Sequence, residues 1–460
     1  MKILHTSDWH LGHTLYGYDR QEEQQDMLQQ ILEITRKERP DAFLLSGDVY
    51  DIPQPSATSQ KMFSEFMAKL HKAVPGMRII VTAGNHDSGM RTEAFQSLLS
   101  MVDIHTIGTI DKEHPENHII ELAGKGFIIA LPYASDRNIP DGFHETLCSM
   151  VAEKNTEGLP VVMMGHTTVK SADFSGHDQK FDNIIGGIEG VDISTFGDGY
   201  DYLALGHIHR PQTFHVKDSN RLIRYSGTPI ATSFDEDVSH RTGVQDTTGC
   251  PDPTVPKDAK ETKEIKETKE IKEIKDPTPT PPLEREGSGL SEHGHSLWEG
   301  SGLSEHGHSV SIVEIHSRGE KPIVRTEIVK NIHPLITLPG DGPLPWNEVR
   351  EVFDGYPSNI QSYIRLNVAI EDTLPSSAYA EVQEIAKKKA CRFCLINAIR
   401  QEKTHTSSHK AMELSEFQQQ QPIDILKRYY HDKIGGDLPQ DLEEMFLEAV
   451  KELEEQIRES

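Results

Sequence analysis

Five short clusters hold the residues able to do chemistry: Asp8-Trp9-His10, Gly47-Asp48, Gly84-Asn85-His86-Asp87, Gly165-His166 and Gly206-His207-Ile208-His209. Their side chains are carboxylates, a neutral amide and imidazoles. This mixture of oxygen and nitrogen donors without thiolate suits manganese better than a thiolate-rich structural zinc site. An imidazole also exchanges a proton near neutral pH, so a histidine not spent on metal can act as acid or base. Any one such histidine is ordinarily a satisfied structural side chain, and it is the recurrence of the clusters that favours a metal centre.

The elements that must position these groups can be read from what precedes each cluster. Residues 2–5, 42–45, 77–81, 161–164 and 202–205 are short, largely apolar runs, as expected of buried strands, and each ends one to a few residues before its cluster. Polar groups at that place lie at the C-terminal edge of a sheet, where open α/β sheets collect ligands. Glycine leads four of the five clusters, where a tight turn lets backbone and ligand approach a metal closely. Residues 18–39, with Met27, Ile31 and Ile34 at helical spacing, and residues 56–73, with Met62, Phe63, Phe66, Met67 and Leu70, are predicted crossover helices returning to parallel strands. Pro75-Gly76 breaks the second. Residues 127–131 suit a strand of a second sheet, and the closer strands after 161, including 222–225, favour a two-sheet sandwich flanked by helices. Residues 173–190 are expected to loop near the site.

The character changes after Thr242. Residues 245–309 contain proline patches, a Lys/Glu tract from Lys260 to Lys275, and an eleven-residue segment, 286–296, repeated verbatim as 299–309. With little to bury, this stretch is expected to be a disordered insertion at a loop tip. The pairs His293/His295 and His306/His308 lack a fixed geometry for metal. Residues 310–405 are expected to form a small α+β domain, with strands at 310–315, 322–329 and 363–370 and helices at 346–353 and 377–389. Residues 406–460 end in two amphipathic helices, 423–431 and 438–457, whose apolar positions Ile425, Leu426, Tyr429, Leu442, Phe446, Val450 and Leu453 must be covered either by the small domain or by a partner.

A formal charge of -26 argues against coating DNA by bulk attraction, since phosphate binding is driven by Lys and Arg releasing counterions. Bound divalent cations and local basic patches leave a DNA enzyme open. No run of 18 apolar residues occurs and the chain opens directly into the strand before Asp8, from which a cytoplasmic address and no membrane are expected. Cys148, Cys250, Cys391 and Cys394 are too few for a disulfide framework, and Cys391-Arg392-Phe393-Cys394 is read as ordinary packing.

In their order, Asp-x-His, Gly-Asp, Gly-Asn-His-Asp, Gly-His and Gly-His-x-His resemble the calcineurin-like metallophosphoesterases, a family with a two-metal centre. His5-Thr6-Ser7-Asp8-Trp9-His10-Leu11-Gly12, Ser46-Gly47-Asp48-Val49-Tyr50-Asp51 and Ser226-Gly227-Thr228-Pro229 are similar to its SbcD group of nucleases. The resemblance spans residues 1 to about 242 and resumes near 310. It implies an α/β, two-sheet sandwich flanked by helices at 1–244, the insertion at 245–309, a small α+β capping domain at 310–405 and C-terminal partner-binding helices at 406–460. Carried over by position, Asp8, His10 and His209 would hold the first metal, Asn85, His166 and His207 the second, and Asp48 would bridge. His86 would act as general acid toward a leaving 3′ oxygen, with Asp87 orienting its ring. The activity implied is manganese-dependent hydrolysis of DNA phosphodiesters, exonucleolytic 3′ to 5′ on duplex ends and endonucleolytic on single strands and hairpins, in DNA repair, replication and recombination. The partners implied are DNA and an SbcC-like coiled-coil ATPase, in a heterotetramer containing a homodimer of this chain. The alternatives are a phosphodiesterase for cyclic nucleotides or other small phosphoesters, and a scaffold that has lost catalysis.

Overall fold

The computed structural model describes residues 1–134, 138–170, 172, 190–236, 308–371 and 373–400, with isolated positions between 423 and 446. The expected loop at 173–190, nearly all of the insertion and most of the C-terminal helices lie outside the described residues. Two compact units result, Met1–Arg400 and Gln401–Ser460.

Within the first unit, the runs read as strands are strands. Lys2–Thr6, Ala42–Ser46, Arg78–Thr82 and Ile104–Ile107 run parallel in one six-stranded sheet. Gly126–Ala130, Val161–His166, Tyr202–Gly206 and Leu222–Tyr225 run parallel in a second six-stranded sheet, whose edges are the antiparallel strands Ile119–Leu122 and Gln212–His215. Period-two alternation decides which side chain enters which layer. Ile3, Leu44, Ile80, Val162, Met164, Tyr202 and Ala204 meet between the sheets. Leu4, Phe43, Leu45, Ile79 and Val81 face the other way, under two helices. Both faces are therefore apolar, which is why these strands read as continuous hydrophobic runs.

Those two helices are Gln21–Glu38 and Ala57–Ala73. The first buries Met27, Leu28, Ile31, Leu32 and Thr35 as one stripe, and carries Glu22 and Glu23 in its first turn and Arg36 and Lys37 in its last, charges that complement the helix dipole. The second is capped by Ser56, whose hydroxyl accepts the Ser59 N–H at 3.1 Å. Phe143–Lys154 covers the outer face of the second sheet with Phe143, Leu147 and Val151.

Residues 310–329 are placed differently from the expectation that they open the capping domain. Ser309–Glu314 pairs antiparallel with Lys2–Thr6, and Ile323–Ile328 pairs antiparallel with Ser309–Glu314, so both complete the first sheet. Leu4 and Ile312 are register partners with side chains in one core, so the chain returns after the insertion to finish the hydrophobic layer begun at its start. The small domain proper is a parallel three-stranded sheet, Leu335–Leu338, Tyr363–Ile370 and Arg392–Arg400, with helices Trp346–Gly355 and Ala378–Ala386 around Val349, Phe353, Leu366 and Val382. Cys391 is buried in that core, and burial pushes the Cys394 thiol up to about 12. Neither is a thiolate at neutral pH, in keeping with packing.

Candidate metal centre

The five clusters come together at the C-terminal edges of the two sheets. The loops after the first two strands are zipped to each other: the Asp8 N–H donates to the Gly47 carbonyl at 3.1 Å and the His10 N–H to the Asp48 carbonyl at 3.1 Å. Asp8, His10, Asp48 and His207 all have positive φ, at 55°, 45°, 49° and 97°. Such conformations cost on the order of 1–3 kcal/mol each and persist where the surrounding bonds over-determine them. Four of the seven expected metal ligands are strained in this way.

Glycine is required where the strand ends approach one another. A Cβ on Gly47 would enter the His166 imidazole, and one on Gly206 would strike the Ser46 carbonyl and lie 2.8 Å from the Ser7 Cβ.

His166 and His209 each have one ring nitrogen anchored on the protein and the other turned to the centre. His166 donates from Nδ1 to the Ser46 carbonyl at 2.8 Å, leaving Nε2 3.0 Å from Asn85 Oδ1 and 3.3 Å from Asp48 Oδ2. His209 donates from Nδ1 to Glu236 Oε1 at 2.8 Å, while its Nε2 lies 3.1 Å from His10 Nε2. His207 Nδ1 is 3.0 Å from Asn85 Oδ1, and its backbone N–H donates to Asp8 Oδ1 at 2.9 Å. Ring nitrogens and oxygen atoms thus face one another across about a hydrogen-bond length, a donor set that suits a divalent cation.

The electrostatics agree. Burial disfavours charge on His166 and His209, yet Asp48 beside the first and Glu236 beside the second raise both to about 9. Burial likewise opposes ionisation of Asp48, but the facing His166, His10 and His86 hold its carboxyl well below the usual range. The acidic groups draw positive charge into a buried cluster, and a divalent cation supplies it without a proton. Asp8, His10 and His209 present ligand atoms within 4.8 Å of one another, as do Asp8, Asp48 and His166, and His10, Asp48 and His86. The donors present suit a divalent cation.

All seven expected ligands and His86 are therefore brought together. Asp87 takes another role. Its carboxylate accepts the N–H groups of Val49 at 3.1 Å, Tyr50 at 3.0 Å and Gly84 at 2.9 Å, clamping the second loop to the third. The His86 ring is oriented instead by the Asp51 carbonyl, which accepts from Nδ1 at 2.8 Å. Sequence reasoning does not single out Glu236, Asp51 or Gln24, whose side-chain amide donates to the His10 carbonyl at 3.0 Å. Asp51 stands at the end of the second motif, whereas nothing in the spacing of Gln24 or Glu236 marks either. Ser7 gains a role beyond its place in the first motif: its hydroxyl donates to Asp8 Oδ2 and meets the Ser226 hydroxyl at 2.7 Å, joining that motif to Ser226-Gly227-Thr228-Pro229.

The sequence model of the calcineurin-like phosphoesterase family matches residues 1–211. Proteins named as the SbcD component of the nuclease SbcCD are similar to this chain. That of Rhodobacter capsulatus is 32% identical over 277 residues, 53% of this chain and 65% of the relative. That of Bacillus subtilis is 34% identical over 259 residues, 51% of this chain and 63% of the relative, and that of Escherichia coli 28% identical over 258 residues, 51% and 62%. The chain spans somewhat under two thirds of the length of these relatives. The family implies divalent metal, which is what the clustered donors suit. The family model matches the region that supplies every expected ligand, and the SbcD proteins are similar to this chain over about half of its length.

Proposed function

We propose that this protein is a manganese-dependent nuclease that hydrolyses DNA phosphodiesters and works with an SbcC-like coiled-coil ATPase at DNA ends, in repair, replication and recombination. The observation that carries the reading is the convergence of Asp8, His10, Asp48, Asn85, His166, His207 and His209, buried or half-buried, at one place in a region of SbcD-like sequence. These residues would hold two divalent cations, whose chemistry would be to make a water nucleophilic at neutral pH and to neutralise charge on the phosphate. The chain's own contribution is to fix that site and to manage a proton. His86 carries its Nδ1 hydrogen to the Asp51 carbonyl at 2.8 Å, so Nε2 is the nitrogen left to donate to a leaving 3′ oxygen. Its ring centroid is 4.8 Å from that of His10, which keeps it over the centre.

The small domain supports a macromolecular substrate more than a cyclic nucleotide, because a small phosphoester needs no second domain beside the site. Homodimer formation is supported by Met90, Phe95, Leu98, Met101 and Val102, apolar side chains that follow the His86 loop closely and are 41–80% exposed. A patch of this kind on a second copy would cover them. Among the described residues no helix is long and apolar enough to cross a membrane, which is compatible with a cytoplasmic place of work.

The reading is tested by incubating the full chain with end-labelled duplex and hairpin DNA in manganese, with and without the partner ATPase and ATP. Degradation of duplex ends that depends on manganese and is stimulated by the partner supports it. Hydrolysis of cyclic nucleotides with DNA left intact would favour the small-molecule alternative.

A further inference from the structure

Two of the three residues assigned to the first metal position are each held by a residue whose neighbour in the chain contacts the small domain. His209 is held through Nδ1 by Glu236, at the end of a segment that starts at Ala231. Ala231 and Phe234 share an apolar cluster with Leu335 and Tyr363 of the small domain. Arg365 of that domain donates to Asp235 Oδ1 at 2.6 Å and lies 5.1 Å from the Phe234 ring centroid.

His10 is held from the other side. Gln24 donates to the His10 carbonyl and accepts the Gly12 N–H, each at 3.0 Å. Its neighbour Glu23 is the buried acceptor of the small domain's Tyr363 hydroxyl at 2.6 Å, His333 Nδ1 at 2.9 Å and Arg392 guanidinium at 3.1 Å. One turn earlier, buried Arg20 donates to the Ala231 carbonyl and stacks 5.6 Å from the Tyr363 ring centroid, joining the two tethers. The supports of the other metal position lie elsewhere: His166 leans on the Ser46 carbonyl, and Asn85 and Asp48 sit at the ends of strands of the first sheet.

We propose that the small domain is wired to one metal position and not equally to both: Glu236 and Gln24 are positioning residues for His209 and His10, and loosening the seam weakens metal held by Asp8, His10 and His209 while sparing metal held by Asn85, His166 and His207. This rests on the dinuclear reading of the site. It makes the seating of the small domain, which whatever binds that domain could alter, a control on how completely the centre is loaded.

The test is a manganese titration of the metal-free full chain, with free ion counted by electron paramagnetic resonance, so that no nuclease substrate enters. The wild type takes up two ions. Glu236→Gln lowers the affinity for one of them by about 10- to 100-fold, the usual effect of removing a carboxylate behind a ligand histidine. Arg365→Ala, which touches no ligand, lowers the same affinity by a smaller factor with the apo melting temperature held within a few degrees, and Arg365→Lys, which keeps a donor for Asp235, restores most of it. In an Asn85→Ala background the remaining ion is still weakened by Arg365→Ala. Should Glu236→Gln fail to fold, the Arg365 pair decides alone. Equal weakening of both ions by Arg365→Ala, or of neither, overturns the proposal. A wild type that binds fewer than two ions overturns the dinuclear reading and the proposal with it.

Discussion

His86 is fixed at both ends of its own residue: its backbone N–H donates to Asp48 Oδ1 at 2.8 Å, and its ring Nδ1 donates to the Asp51 carbonyl at 2.8 Å. The main-chain bond survives replacement of the side chain. His86→Ala should therefore leave the Asp48 carboxylate in place and metal uptake close to wild type, while turnover falls by about 10²-fold or more, the scale of a lost general acid. Metal analysis alongside single-turnover kinetics checks both halves. A loss of metal as large as that in Asp48→Ala would show that His86 is a ligand.

Asp87 is expected to matter for stability before it matters for rate. Its carboxylate satisfies backbone N–H groups from two loops, those of Val49, Tyr50 and Gly84. Asp87→Ala strands these donors, at about 1–3 kcal/mol for each one that water does not reach. Thermal unfolding in the presence of chelator should show a clear drop in melting temperature without any metal effect. An unchanged melting temperature would mean that the loops hold together by other bonds.

A pH dependence is expected from the seam between the first helix and the returning strands. Glu38 is bonded to Lys2 at 2.7 Å and also to Arg325 of the strand Ile323–Ile328. Burial works against its charge, but Lys2 and Arg325 lower its pKa from the ordinary 4.5 to about 2. A depressed carboxylate pKa gives stability that is complete above the unfolded value and is lost as pH falls from about 4.5 toward 2. Denaturant unfolding of the wild type should weaken across that window, and Glu38→Gln should flatten the slope there and lie below the wild type at pH 7. Parallel pH profiles for the two proteins would exclude the contribution.

Removing residues 245–305 and closing the gap with a short flexible linker should preserve folding and metal uptake. Where the chain is next described, His308 Nδ1 donates to the Thr228 carbonyl at 2.9 Å and Ser309 is already paired in the first sheet. Closure entropy changes only slowly with loop length, so the shortened chain should melt within a few degrees of the full one. A large fall in melting temperature would assign the insertion a structural part.

The site is legible in the sequence because its physics is local. A strand buried on both faces is an uninterrupted apolar run, and the polar residue that ends it is at the sheet edge, so Asp8, Asp48, Asn85, His166 and His207 can be placed without a structure. What stays hidden depends on contacts between residues far apart in the chain. The strands Ser309–Glu314 and Ile323–Ile328 alternate like any half-buried pair, and nothing in them states that their partner is Lys2–Thr6. Adjacency in sequence suggests Asp87 as a partner of the His86 ring, whereas its carboxylate turns to the backbone of the neighbouring loop. Glu236 has no motif around it and acquires its role only because the segment after Thr228 folds back on His209.

If the converging strand ends build a metal centre that cuts DNA, Asp48, buried between His10 and His166 at 3.8 and 3.3 Å, is the residue on which that centre turns. The most direct measurement compares manganese-dependent cleavage of end-labelled DNA by the full wild-type chain and by Asp48→Asn, an isosteric change that removes the charge. The wild type should cleave in a reaction that chelator abolishes, and the variant should be slower by about 10²-fold or more, as expected when charge stabilisation at the reacting phosphate is removed. Cleavage that survives in Asp48→Asn, or that proceeds in chelator, would contradict it.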